Sequence, residues 1–135
     1  MRNFILALII SPSIAFAWEL PIVKVIDGDT ISTVIKEMPP ELQNYSIRVR
    51  GIDTPEKGGH AKCFEEATKA QMATIAVKRI SLNVRTMHVS NCTHDKYGGR
   101  IVCDININGY NVAEKLIEHK LARPYNGGKK ESWCK

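Results

Sequence analysis

The sequence lacks several patterns that would point to common enzyme or metal-binding classes. No serine lies in a G-x-S-x-G setting, which disfavours a serine hydrolase. No C-x-x-C pair occurs, and Cys92-x-His94 has no matching second pair, so a zinc site is not expected. No internal repeat or low-complexity tract is present either. With the first 17 of the 135 residues set aside as described next, the length suffices for one domain with a single core but not for two.

The N-terminal segment has the pattern of an export signal. A short basic stretch ending at Asn3 precedes a mostly apolar run that closes in Ala15-Phe16-Ala17, an A-x-A cleavage pattern. We predict that residues 1–17 are a cleaved signal peptide, that residues 18–135 form the mature domain, and that this domain is secreted or periplasmic. After cleavage no stable membrane association is expected. The alternative is an uncleaved N-terminal anchor, although the apolar run is short for a spanning helix.

The charge of the mature domain is mildly basic. Without Arg2 it carries 18 lysines and arginines against 14 aspartates and glutamates. Such an excess favours a polyanionic partner through steering and counterion release. It is also common in secreted proteins for solubility alone, so charge by itself leaves both interpretations open.

The cysteines predict disulfide bonds. Their number is even and they follow an export signal, which favours bridges over metal ligation. Four cysteines allow three connectivities. Cys92 and Cys103 flank a turn-like stretch at 95–99 and can face each other across a hairpin, which leaves Cys63 to bind Cys134 and tie the C-terminal tail to a helix.

Hydrophobic patterning predicts a mainly β domain of the α+β class. Val, Ile and Thr-rich runs predict five strands at 20–26, 30–36, 45–52, 82–91 and 100–107. Apolar residues at helical spacing predict a first helix over 60–80, with Glu66 on its surface. Asn111 and Glu114 predict the N-terminal cap of a second helix. Asn108-Gly109 predicts a tight turn. This order suggests a five-stranded Greek-key barrel of the OB-fold type with two or three helices packed on it.

Two acidic segments indicate which chemistry the protein could perform. Asp29 follows the first predicted strand, and Asp53 and Glu56 follow the third, so their carboxylates are expected at one rim of the sheet. Arg48 and Arg50 alternate with apolar residues and are predicted to share a face. Carboxylates bind hard cations and can deprotonate water, and arginine matches phosphate oxygens. Together these groups favour metal-assisted cleavage of a phosphodiester, whereas each segment alone is also explained as a simple turn.

These segments resemble a known family in order and spacing. The resemblance runs through 25–30, 48–56, 95–100 and 109–122, and ends in Leu121-Ala122-Arg123-Pro124-Tyr125. The family that these segments resemble is the staphylococcal-nuclease-like, or thermonuclease, family. It implies an OB-fold and Ca²⁺-dependent hydrolysis of DNA and RNA to 3′-phosphate products. The substrates are expected to be preferably single-stranded and the protein a monomer.

The resemblance also implies roles for individual residues. Asp29, Asp53 and the backbone carbonyl of Thr54 resemble the Ca²⁺ ligands, Glu56 the general base and Arg48 the first phosphate-binding arginine. The residues that resemble substrate contacts are Lys96, Tyr97 and Tyr125.

The second catalytic arginine of the family directly follows Tyr-Gly, whereas Arg100 follows Tyr97-Gly98-Gly99. We predict that a bulge at the glycine pair restores Arg100 to the site. Arg123, before a proline in a tail expected to be mobile, and Arg50 are weaker candidates.

Two other functions remain open at this stage. A non-catalytic nucleic-acid-binding OB module would keep the fold without needing the full set of acids and arginines. A small disulfide-stabilised structural or inhibitor protein would explain the cysteines but not the acidic residues. In the tail, Lys129-Lys130 is interpreted as a solvated charge pair.

Overall fold

The computed structural model describes residues 17–135. The predicted signal peptide therefore lies outside the described residues, apart from Ala17. Within the described part of the chain, none of the helices combines the length and apolar character needed to cross a membrane.

The domain consists of nine short strands and two α-helices. The strands are β1 (Trp18–Pro21), β2 (Lys24–Asp27), β3 (Thr30–Val34), β4 (Asn44–Val49), β5 (Ile52–Asp53), β6 (Thr86–His94), β7 (Arg100–Ile107), β8 (Tyr110–Asn111) and β9 (Arg123–Pro124). The helices are α1 (Phe64–Ile80) and α2 (Val112–Glu118), and single 3₁₀ turns span Pro40–Leu42 and Gly58–His60.

The main sheet has the strand order β1-β6-β7-β4-β3-β2, and β8 adds to β7. All pairs on this path are antiparallel except β4 with β7, which is parallel. Only Ile22 and Val23 separate the two edge strands, and their N–H groups donate to the carbonyls of Arg85 and Ser32. The first extended segment thus joins both ends of the curved sheet. This confirms the predicted OB-fold, as a partly open barrel rather than one closed by a continuous ladder.

One face of the sheet and both helices enclose the core. The alternating residues Ile31, Ile47, Ile105 and Ile107 are buried, as period-two patterning requires. The helices cover the core with small or branched side chains at their inner positions. These are Ala70, Ala73 and Val77 of α1, and Val112 and Leu116 of α2. The opposite face of β4 and β7 is left free to carry polar groups.

The first helix begins later than its periodicity predicts. It starts at Phe64, four residues beyond the predicted start at His60, because Gly58 adopts a φ of +58° and the chain makes a 3₁₀ turn before Cys63. Cys63 caps α1: its Sγ accepts the N–H of Glu66 at 3.4 Å. The prediction that Glu66 lies on the surface is wrong, since only 5% of this residue is exposed.

Two local predictions in the second half of the chain are confirmed. Asn108 and Gly109 form the tight turn between β7 and β8 with φ values of +52° and +79°, a conformation that Asn and Gly tolerate. Asn111 caps α2, and its Oδ1 accepts the N–H of Glu114 at 3.0 Å.

Both predicted disulfides are present. Cys92 and Cys103 join β6 to β7, and Cys63 and Cys134 join the start of α1 to the C-terminal tail. No free cysteine occurs in residues 17–135. The second bridge closes much the longer loop, with a sequence separation of 71 residues against 11.

Gly28 fixes the distance between the β2–β3 turn and α1. A Cβ atom at this position would lie 2.7 Å from the Cβ of Ala73, closer than packed carbon atoms approach each other. The turn that carries Asp27 and Asp29 is therefore packed directly onto the helix.

We expect Gly28→Ala to destabilise the protein by about 1–3 kcal/mol through overpacking, measured by urea unfolding. Gly59→Ala is the matched control, because nothing lies within 4 Å of its added Cβ, and we expect it to change stability by no more than about 0.5 kcal/mol. The double variant Gly28→Ala/Ala73→Gly should lose less stability than the sum of the losses in the two single variants. Equal stability of the Gly28→Ala and Gly59→Ala proteins would contradict the packing argument.

The two disulfides are expected to contribute unequally to stability. Loop-closure entropy predicts a loss of about 4 kcal/mol for Cys63→Ser/Cys134→Ser and about 3 kcal/mol for Cys92→Ser/Cys103→Ser. Urea unfolding of both variants measures this difference, and peptide mapping without reductant checks the pairings. A larger loss for the short-loop variant would contradict the entropic account.

Candidate active site

The site begins at Asp29, a carboxylate that is only 7% exposed. Its Oδ1 accepts the hydroxyl of Thr30 at 2.9 Å, and its Oδ2 accepts the hydroxyl of Thr54 at 2.9 Å. Arg48 Nη1 lies 3.0 Å from the same Oδ2. The β2–β3 turn, β4 and the segment after β5 are thus joined at the Asp29 carboxylate, where Thr54 takes part through its hydroxyl and not through the backbone carbonyl that was predicted as a ligand.

Asp27 and Asp29 are neighbouring carboxyls with opposite pKa shifts, and the backbone N–H of Asp29 donates to Asp27 Oδ1 at 3.3 Å. Burial raises the pKa of Asp27 to about 6, and the hydrogen bond and charge of Asp29 act in the same direction. Burial also opposes ionisation of Asp29, but hydrogen bonds from Asp27, Thr30 and Thr54 and the charge of Arg48 hold the pKa of Asp29 below its ordinary value. Asp29 therefore keeps its negative charge into mildly acidic conditions.

Asp53 is the second buried carboxylate, with 5% of the residue exposed. Its strand β5 pairs with β9 of the tail, with Asp53 opposite Arg123. Lys130 Nζ lies 2.9 Å from Asp53 Oδ1, and Trp133 Nε1 donates to Asp53 Oδ2 at 3.2 Å. The tail therefore supplies both partners of this carboxylate.

Glu56 stands at the rim of the same site. Its side chain is 55% exposed, and its Oε1 lies 4.0 Å from Lys130 Nζ. Partial burial opposes protonation of Lys130, but the hydrogen bond and charge of Asp53, aided by Glu56, raise the pKa of Lys130 above its ordinary value. The lysine is therefore a cation held between two of the predicted functional carboxylates.

Glu66 orients the loop that carries Glu56. Its two carboxylate oxygens accept the backbone N–H of Glu56 at 3.2 Å and that of Lys62 at 2.7 Å. These charge-assisted bonds at both ends of the loop account for the burial of Glu66. The helical pattern did not reveal this role, because the acceptor groups belong to a loop whose path is set by tertiary structure.

Arg100 lies on the same face of the sheet as Arg48. In the parallel register Ser46 is opposite Arg100 and Arg48 is opposite Val102, so the two arginines are diagonal neighbours. Arg100 Nε forms an ion pair with the carboxylate of Asp95, and its guanidinium lies 4.6 Å from the Tyr97 ring centroid.

Asp95 experiences the charge of both arginines. Its partial burial opposes ionisation, but the hydrogen bond from Arg100 and the charges of Arg100 and Arg48 hold the pKa of Asp95 below its ordinary value. Lys96 and Tyr97 are exposed in the adjoining hairpin loop, with Lys96 Nζ 5.2 Å from the Tyr97 ring. The loop thus gathers Lys96, Tyr97 and Arg100.

The irregularity of the hairpin before Arg100 differs in part from the predicted bulge at Gly98-Gly99. Gly99 has a positive φ of +71°, as expected for one residue of the glycine pair. The ladder irregularity between β6 and β7, however, lies between Ser90 and Thr93, where Asn91 has a φ of +51°. The ladder thus gains its extra residue within β6, and Gly98 and Gly99 lie in the hairpin loop, where the N–H of Asp95 donates to the Arg100 carbonyl at 3.2 Å.

Two arginines considered as alternatives to Arg100 have structural partners. Arg50 donates to the carbonyls of Asn91 and Val102 and to the hydroxyl of Thr93. Arg50, predicted to share a face with Arg48, follows the end of β4, and its guanidinium is bonded to groups of β6 and β7 instead of to a carboxylate of the site.

The expectation of a mobile tail at Arg123 is also wrong. Arg123 donates to the carbonyls of Glu131 and Ser132, and its guanidinium lies 3.7 Å from the Trp133 ring centroid. The tail is thereby folded against β9 and the site.

A cleft opens beside Asp53 and Glu56. One part, of about 770 Å³, is lined by Asp53, Glu56, Lys62, Lys130 and Trp133 among others. An adjoining part of about 350 Å³ shares Asp53 and Lys130 and reaches Tyr125, whose hydroxyl donates to the Gly128 carbonyl at 2.8 Å. Tyr125 thus shares this part of the cleft with Asp53.

The oxygen groups at the site fit a hard divalent cation in chemistry and charge. Asp29, Asp53, Thr54 and Glu56 offer only oxygen ligands, and a cationic ammonium already sits against Asp53 and Glu56. Within residues 17–135 the carboxylates of Asp29, Asp53 and Glu56 do not all lie within 4.8 Å of one another. A tighter group of Cys63, Glu66 and Cys134 is unsuitable, because its sulfurs form a disulfide.

Sequence reasoning missed three residues of this site, namely Glu66, Lys130 and Trp133. The interpretation of Lys129-Lys130 as a solvated pair is wrong for Lys130. The one available signal was that Trp133 directly precedes Cys134, since the bridge to Cys63 carries its neighbours towards α1.

Comparison with known protein families agrees with this geometry. The sequence pattern of the family described as "Staphylococcal nuclease homologue" matches residues 46–133. A search of curated proteins gave no match. The matched region covers more than half of the chain and includes Arg48, Asp53, Glu56 and Arg100. The chain therefore belongs to the staphylococcal nuclease family, whose members are generally nucleases or nucleic-acid-binding proteins.

Proposed function

We propose that this protein is a secreted Ca²⁺-dependent nuclease that hydrolyses phosphodiester bonds of DNA and RNA to 3′-phosphate products. The observation that carries this proposal is that Arg48 and Thr54, from two separate segments, both contact the buried carboxylate of Asp29. Asp53 and Glu56 line the cleft beside them.

The carboxylates and Thr54 are the residues that would hold the metal. Asp29, Asp53 and the Thr54 carbonyl are the proposed ligands. When bound, Ca²⁺ would supply Lewis-acid charge to offset that of a non-bridging phosphate oxygen. Lys130 must leave Asp53 for this ligand set to form.

The remaining residues would orient the phosphate and move the proton. Glu56 is exposed to the cleft and is the proposed base that takes a proton from the attacking water. Arg48 and Arg100 would donate to the phosphate oxygens, where negative charge grows in the transition state. Their ion pairs with Asp29 and Asp95 orient the two guanidinium groups before a substrate binds. Each guanidinium has further N–H groups that could donate to a phosphate.

The surrounding residues suit a single-stranded polyanion. Lys96 and Tyr97 would contact the flanking backbone, and Tyr125 offers an aromatic face for a base. We propose that the protein acts as a monomer without stable membrane association. Export through residues 1–17 would bring it to an oxidising compartment where calcium is available, in keeping with its two disulfides.

We expect purified protein to release acid-soluble fragments with 3′-phosphate ends from single-stranded DNA and from RNA in CaCl₂, and to lose this activity in excess EGTA. Activity should also fall steeply with salt, because phosphate contacts release counterions. Glu56→Gln is the matched control and should bind single-stranded DNA without cleaving it. Full activity in EGTA, with trace metals controlled, would refute the metal requirement, and wild-type binding without cleavage would favour the non-catalytic module.

We expect Arg100→Ala to lower kcat by about 10²–10³, the usual effect of losing one preorganised donor to a developing anion. Arg79→Ala, an exposed arginine on α1, is the control for lost positive charge and should leave kcat nearly unchanged. Circular dichroism at the assay temperature checks that both variants are folded. A kcat within about threefold of wild type would show that another cation takes this role.

A further inference from the structure

The C-terminal tail is anchored on both sides of Lys130. On one side, β9 pairs with β5, and Arg123 reaches across to the carbonyls of Glu131 and Ser132. On the other, Trp133 is buried against the Arg123 guanidinium, and Cys134 is bonded to Cys63. The backbone that carries Lys130 is therefore held beside the cleft by contacts on both sides.

The ammonium of Lys130 contacts the two carboxylates that would attract a metal ion most directly from the cleft. Its Nζ lies 2.9 Å from Asp53 Oδ1 and 4.0 Å from Glu56 Oε1. The lysine side chain is 44% exposed, whereas that of Asp53 is 7% exposed. The neighbouring Lys129 lines the same cleft but forms no ion pair within residues 17–135.

We propose that Lys130 sets the metal affinity of this site by acting as a tethered counter-ion that a divalent cation must displace from Asp53. The inference rests on the proposed function, since it concerns the same ligand set. Two cations cannot share Asp53 Oδ1 without strong repulsion, so part of the binding free energy of the metal is spent on breaking the lysine ion pair.

The anchoring makes this competition effective. A free lysine in solution competes weakly, but an intramolecular group is present at a high effective concentration. The disulfide and the Arg123 contacts limit how far the tail can withdraw, so a displaced Lys130 stays beside the metal and continues to repel it. Removing the charge should therefore tighten metal binding by more than removing the charge of Lys129.

The test is calorimetric titration of Ca²⁺ into wild-type protein, Lys130→Gln and the matched control Lys129→Gln. Two unit charges about 4 Å apart interact enough, even in bulk water, to change an equilibrium about fivefold. We expect Kd for Ca²⁺ to fall at least about fivefold in Lys130→Gln, and to change much less in Lys129→Gln. Lys130→Arg, which keeps the charge, should bind with an affinity close to that of wild type.

Thermal unfolding gives a readout that does not depend on turnover. In EDTA, Lys130→Gln should have a lower Tm than wild type, because Asp53 loses its ion-pair partner. With saturating Ca²⁺ it should gain more in Tm than wild type, because ligand stabilisation grows as Kd falls. Lys129→Gln should show neither change.

The outcomes separate this inference from the proposed function. Equal Kd values for Lys130→Gln and Lys129→Gln, with Ca²⁺ binding intact, would overturn the role of Lys130 and leave the metal site standing. Binding to Lys130→Gln but not to wild type would support it most strongly. If none of the three proteins bound Ca²⁺, the metal requirement of the proposed function would itself fail, and this inference with it.

Discussion

The burial of the Asp29 carboxylate is the constraint on which the rest of the site depends. A carboxylate removed from water is costly unless its oxygens are paired. Here the donors come from the adjacent Thr30, from Arg48 on β4 and from Thr54 beyond β5. Because the Asp29 carboxylate accepts from donors of three segments, the β2–β3 turn, β4 and the loop after β5 cannot shift independently. The close packing of Gly28 on Ala73 places this turn against α1 and completes the restraint.

Three cations at the site are each paired with a different carboxylate. Arg48 contacts Asp29, Arg100 contacts Asp95, and Lys130 contacts Asp53. The ion pairs of Arg48 and Arg100 hold the two guanidinium groups on one face of the sheet. In the proposed function, donors oriented in this way would need little rearrangement to bind a phosphate.

The tail links the disulfide to the chemistry of the cleft. Cys134 is bonded at the cap of α1, and the preceding Trp133 donates to Asp53. Glu66, in the first turn of the same helix, holds the loop that carries Glu56. The start of α1 thus supports both the tail that contacts Asp53 and the loop that carries Glu56.

Much of the fold and about half of the site followed from the sequence. Alternation of apolar residues placed the strands, because a half-buried strand must repeat with period two, and the even cysteine count with the hairpin placement of Cys92 and Cys103 predicted both bridges. Arg48, Asp53 and Glu56 follow from short segments whose side-chain directions are fixed locally. Local signals of this kind determined the class of fold and the acidic character of the rim. The partners of Arg50, Arg123 and Lys130 were decided only by tertiary structure. Long basic side chains take the nearest available acceptor, and those acceptors, such as the Asn91 carbonyl and Asp53, come from segments far away in the chain.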